Sequence, residues 1–139
     1  MKNLITLIFV ALLSACASQA QFGNFTKSNG QQREFSTVLA TESVAQLHSS
    51  YAPASTTFSL IHPAKDEYGQ QLIQQLRDKG FAVAEFGTGS TGQPLSYVVD
   101  YVGDNAILVT LRVGQSVTAR MFDTKNNRLT ATGSWSRLE

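Results

Sequence analysis

The sequence predicts an α+β domain: two helices packed on a mostly antiparallel sheet of about six strands, with one βαβ crossover. Three observations carry this. Between residues 36 and 80, two stretches place apolar residues at helical spacing, with a short β-rich stretch, Thr56 to Ile61, between them. A second β-rich stretch, Phe81 to Phe86, follows the second helix and completes a strand–helix–strand unit. From Leu95 onward, apolar and polar residues alternate in four runs separated by turn sequences.

The chain starts with what reads as a leader over residues 1–15. Met1-Lys2-Asn3 is a short positive stretch, and Leu4 to Leu13 is apolar. An apolar run of about ten residues is too short for a bilayer, which needs roughly 20, but it fits a secretory signal peptide. The run ends in Leu13-Ser14-Ala15-Cys16, which contains the only cysteine of the 139 residues. Leu-Ser-Ala-Cys resembles the bacterial lipobox. That resemblance implies a diacylglyceryl group on the Cys16 thiol and cleavage between Ala15 and Cys16. The alternative is an ordinary signal peptide followed by a cysteine of no special role. Ala17, rather than Asp, follows the cysteine. By the sorting rule of lipoproteins of this kind, that favours the outer membrane, with the domain facing the periplasm. Each buried methylene contributes about 0.8 kcal/mol, and one acyl chain alone binds only marginally. A lipoprotein carrying more than one chain would stay anchored.

Residues 16–34 read as the lipidated cysteine and a flexible linker. They are rich in Gln, Asn, Ser and Gly and lack apolar periodicity. Phe22 and Phe25 are the exceptions. They could dip into the lipid interface, or they could form a short docking motif for a partner.

Residues 35–139 read as the globular domain. Ser36 or Thr37 is a plausible N-cap for the first helix. Ala40, Val44, Leu47 and Tyr51 make one apolar stripe, and Pro53 ends it. Phe58 and Leu60 alternate in the first strand. The second helix, about Lys65 to Lys79, buries Tyr68, Leu72, Ile73 and Leu76. It carries Asp66 and Glu67 at its start and Arg77 and Lys79 at its end, in keeping with the helix dipole. Gly80 is a natural stop. Strand, helix and strand imply one crossover with two parallel strands. Then come Leu95 to Val102, the turn Gly103-Asp104-Asn105, and Ala106 to Val113 with Ile107, Val109, Leu111 and Val113 on one face. Gly114-Gln115 suits a two-residue hairpin turn. Ser116 to Asp123 has Val117, Ala119 and Met121 on one face and Arg120 on the other. After the turn at Lys125-Asn126-Asn127, Arg128 to Leu138 closes with Leu129, Ala131 and Trp135 inward.

Composition and motifs narrow the chemistry. Removal of the leader takes Lys2 and leaves ten basic against ten acidic residues. Without a basic block, direct nucleic-acid binding has no electrostatic footprint. One cysteine excludes an internal disulfide. His48 and His62 lie far apart, with no ligand cluster near either, so no metal and no cofactor is expected. Gly87-Thr88-Gly89-Ser90-Thr91-Gly92 matches G-x-G-x-x-G, but Gln93-Pro94 and a strand follow it where a phosphate cradle needs a helix N-terminus. It reads as a loop. No Gly-x-Ser-x-Gly elbow is present. Asp66 and Glu67 are adjacent on a helix and point different ways, so they do not make an acid–base pair. No catalytic residue is expected. Arg112 and Arg120 sit opposite the apolar rows of their strands and read as solvated, with interface contacts as the next reading. Trp135 reads as core, or as an anchor for a partner.

The lipobox, the polar spacer, Leu47-x-x-x-Tyr51-x-Pro53, Phe58-x-Leu60, Gly69-x-x-Leu72-x-x-x-Leu76-x-x-x-Gly80 and the closing Gly133-x-Trp135 together resemble the TrbH conjugal-transfer lipoproteins. The resemblance covers nearly the whole chain, apart from the linker and the Gly87 to Pro94 loop. It implies a structural component of a conjugative type IV secretion system, in the outer-membrane core complex. There the protein would form a ring with copies of itself and with other secretion-channel core subunits. The domain would resemble the small amino-terminal domains of secretins. The family brings no catalytic residues, and Cys16 alone carries a named role. The competing reading is a periplasmic, outer-membrane-anchored accessory lipoprotein that binds peptidoglycan or a protein.

Overall fold

The computed structural model describes residues 32–89 and 91–138. The leader, Cys16, Phe22 and Phe25 lie outside the described residues. The elements run α1 (Gln32–Ser50), β1 (Thr57–Leu60), α2 (Glu67–Asp78), β2 (Ala82–Ala84), β3 (Gln93–Val102), β4 (Ala106–Val113), β5 (Ser116–Asp123) and β6 (Thr130–Leu138). The α+β architecture is as the sequence predicts, with six strands in one sheet of order β2-β1-β3-β4-β5-β6. β1 lies parallel to both β2 and β3, and β3 to β6 form an antiparallel meander.

α1 includes Gln32, so the helix reaches back past Ser36 and Thr37 into the expected linker. Phe35 explains the difference: it is buried, as are Leu39, Ala40, Val44 and Leu47, and together they extend the apolar stripe by a turn. Ser36 and Ser43 are buried on the same face, and the Ser43 hydroxyl donates to the Leu39 carbonyl at 2.8 Å. Such a bond satisfies a hydroxyl inside a helix that has no water to bind.

α2 is capped by Asp66, whose side chain accepts from the Gly69 amide at 2.8 Å. Its buried face is Tyr68, Gly69, Leu72, Ile73 and Leu76. Gly80, at φ +92°, ends it in the left-handed region.

The helices pack on each other and on one face of the sheet. Into that core β1 sends Phe58 and Leu60, β3 sends Leu95, Tyr97 and Val99, and β4 sends Ile107, Val109, Leu111 and Val113. Leu129, Ala131 and Trp135 are half-buried against its edge, as expected of an inward row on a peripheral strand.

β5 departs from the solvated reading of Arg120. The hairpin pairs Val113 with Ser116, Leu111 with Thr118, Val109 with Arg120 and Ile107 with Phe122. Directly opposed residues share a face. The row under the helices is therefore Ser116, Thr118, Arg120 and Phe122, and the apolar row Val117, Ala119, Met121 faces away. Arg120 lies between α1 and the β6 edge. It pairs with Glu42 of α1 at 2.9 Å, donates to the Gly133 carbonyl at 3.0 Å and lies 5.7 Å from the centroid of the Phe122 ring. Arg112 is exposed, as the sequence implies.

Candidate functional site

Two places gather polar or unpartnered groups, and they do different things. The first lies in the core, where Tyr97, Asp66, His62, Tyr68 and Ser43 meet. Tyr97 comes from the middle of β3 and donates its hydroxyl to Asp66 Oδ2 at 2.5 Å. Tyr68 comes from the first turn of α2 and donates to Ser43 Oγ of α1 at 2.7 Å. The two tyrosine rings meet edge to face at 5.0 Å, and His62 packs edge-on against Tyr97 at 4.8 Å.

Both phenols are held well above the ordinary tyrosine value. Burial is the main cause in each. For Tyr97 the hydrogen bond to Asp66 and the charge of that carboxylate add to it. For Tyr68 the Ser43 bond opposes the rise and the Asp66 charge adds to it. A phenol raised this way stays protonated at neutral pH and makes a poor base or nucleophile. Asp66 has one oxygen on the α2 cap and the other on Tyr97. The cluster therefore works as a lock: it ties the start of α2 to β3 and α1.

Gly69 belongs to the lock. A Cβ there would stand 2.0 Å from Tyr97 Oη and 2.9 Å from the Ala64 Cβ. The absence of a side chain gives the phenol its path to Asp66.

The glycine-rich loop joins β2 to β3 and has no helix among its described residues; it is not a hairpin loop, because β1 lies between the two strands and parallel to both. Gly92 has its own reason, since a Cβ there would lie 2.6 Å from the Thr57 carbonyl oxygen. Among the described residues no three His, Cys, Asp or Glu side chains come together as metal ligands, and no helix is long and apolar enough to cross a membrane. Several depressions lie on the described surface. The one at the β5–β6 connection is lined by Asp123, Lys125, Asn126, Arg128, Thr130 and Thr132.

The second place is the face of the sheet turned away from the helices. Three rows cross it in register. Asp100, Leu108, Met121 and Thr132 form the first; Val98, Thr110 and Ala119 the second, with Ser136 beyond; Ser96, Arg112, Val117 and Leu138 the third. Val98, Leu108, Val117, Ala119 and Met121 are half-buried on this face and Leu138 is 60% exposed, while Ser96 is buried, its hydroxyl without a hydrogen-bond partner among the described residues. Val102, 43% exposed, extends the apolar surface beyond the first row. The face is half apolar and half polar among the described residues. Asp100 and Arg112 stand near its two ends, and neither has an ion-pair or hydrogen-bond partner among the described residues. Trp135 is on the other side, half-buried against the core edge.

Sequence reasoning placed Arg112, Val117, Ala119 and Met121 on their strands but did not see that they share one uncovered face. The signal was available in the hairpin. A two-residue turn after Val113 puts even-numbered β5 residues opposite odd-numbered β4 residues.

The family model described as conjugal transfer protein TrbH matches residues 19–139. No curated protein and no solved structure matches the chain.

Proposed function

The chain belongs to the TrbH family of conjugal transfer proteins, and from that premise we propose that it is an outer-membrane lipoprotein and a structural subunit of the conjugative type IV secretion channel, without catalytic activity. The observation that carries the reading is the family match over residues 19–139, joined to Leu13-Ser14-Ala15-Cys16 immediately before it. The lipid on Cys16 holds the protein in the periplasmic leaflet of the outer membrane. The domain supplies surface for other core subunits and for copies of itself in a ring.

The site chemistry agrees with such a role. Tyr97, Asp66, Tyr68 and Ser43 are spent on locking α2 to β3 and α1. Asp100, Arg112 and the apolar side chains between them lie along one sheet face, which suits a protein surface better than a small molecule. The accessory reading, a lipoprotein that binds peptidoglycan or a protein, calls for a concave site with convergent polar groups, and the polar depression at the β5–β6 connection is where it would lie.

Anchoring is tested by Cys16→Ser. The variant should take up no palmitate and remain as unprocessed precursor at the inner membrane. It should lower plasmid transfer by at least tenfold while the domain stays folded. Transfer at the unsubstituted level from a folded, unlipidated variant would overturn the anchored reading.

A further inference from the structure

The uncovered face has a pattern of its own. Asp100 is in the first of the three rows and Arg112 in the third, on neighbouring strands. The row between them holds only small or slender side chains: Val98, Thr110, Ala119 and Ser136. Adjacent rows on one face lie two residues, or about 7 Å, apart. The charged residues therefore flank the middle row at equal distances.

We propose that this face packs on the same face of a second copy of the chain, about a two-fold axis that runs along the middle row, across the strands. The rotation turns the second sheet end for end. Val98, Thr110 and Ala119 then lie over the same residues of the copy. The third row of each chain lies over the first row of the other, which sets Arg112 beside the partner's Asp100 twice over. An axis along the strands would instead lay each row over the same row of the copy, bringing the two Arg112 into one row with no Asp100 opposite, and like charges across an interface are costly. The charges thus select one symmetry. An isologous contact requires a self-complementary patch, and opposite charges on either side of a small-residue row meet that requirement. A partner of different sequence would not require both signs on this face.

The contact is modest in size. Four strands about 4.8 Å apart and about 24 Å long present roughly 450 Å² in projection. A pair then buries on the order of 1,000 Å² in total, at the low end for a specific interface. Pairing should be weak in dilute solution and strong where chains are concentrated on one membrane. The inference rests on the sheet and not on a place in a secretion channel, so it is tested without other conjugation proteins.

The full-length chain is expressed alone and treated in native membranes with a short bismaleimide. Thr110→Cys, on the axis, should give a covalent dimer at least tenfold above Gln74→Cys, on the exposed side of α2, with the unsubstituted chain setting the background from Cys16. Arg112→Asp in the Thr110→Cys chain should lower the yield about tenfold, as should Asp100→Arg. The double reversal should restore it. No dimer above the Gln74→Cys level from a folded Thr110→Cys chain would overturn the proposal. So would a product that contains a different protein, or a double reversal that fails to restore the yield.

Discussion

At residue 69 the chain leaves a space that another residue fills. In an ordinary helix Gly→Ala gains up to about 1 kcal/mol. Here the new Cβ would stand 2.0 Å from Tyr97 Oη, so the clash decides the sign. Gly69→Ala should cost about 2–4 kcal/mol in denaturant unfolding, in the range of overpacked cores. Tyr97→Phe in that background removes the clashing oxygen and should recover part of the loss. If both singles destabilise and the double is their simple sum, the two groups do not share the space. The tyrosines also set a pH limit. Their unfolded value is 10.0 and the folded value lies above it. The protonated forms therefore hold the full stability below about pH 10. As pH rises further the unfolded chain ionises first, and stability falls by about 1.4 kcal/mol per pH unit for each buried phenol. Melting temperature should be level from neutral pH to about 9 and drop steeply above 10, less steeply in Tyr97→Phe. The sequence showed Gly69 as the start of a spaced motif and Asp66 as a helix-start charge. It could not show that a phenol 31 residues downstream bonds that carboxylate, because this contact depends on how α2 is seated over β3.

The elements differ in how far local pattern determined them. β4 and β5 end where turn chemistry ends them, and α2 stops at Gly80. These boundaries are set by residues adjacent in sequence, so they are legible. The inward face of β5 is set by its neighbour. Apolar content points to Val117, Ala119 and Met121, while pairing across the hairpin puts Thr118, Arg120 and Phe122 under α1. Register prevails because a one-residue slip would break the whole β4–β5 ladder. Arg120 is tolerated there because Glu42 and the Gly133 carbonyl receive its guanidinium. β6 is an edge strand whose pairing shifts between Ala119 and Met121, which leaves Trp135 in the irregular stretch and half-buried. Trp135→Ala should therefore cost about 1–3 kcal/mol, less than the roughly 3–5 kcal/mol of a fully buried aromatic. A loss above 4 kcal/mol by chemical denaturation would mean that the ring is core after all.

On the scale of the whole molecule, the domain has two unlike faces. One is closed by helices and locked by buried phenols. The other is a sheet face with two charges of opposite sign, unpaired among the described residues, on either side of a small-residue row. In the proposed role the first face makes the domain rigid and the second makes it join. The anchor at Cys16 would add a third element, confining the domain to one surface, where weak contacts become effective ones. The fold class could be read from periodicity alone. The family could be read from short spaced motifs, and it is the family that assigns the chain to conjugal transfer. The face turned away from the helices was legible only through the β4–β5 hairpin register, because apolar content alone pointed to the other side of β5.

Purification of the lipidated full-length chain from conjugating cells in mild detergent tests its place in the channel most directly. It should elute in a large assembly, with multiple copies per particle and the channel's other core subunits present at fixed ratios. Elution as a free protein with no other conjugation subunit, from cells that transfer the plasmid at full frequency, would contradict that place.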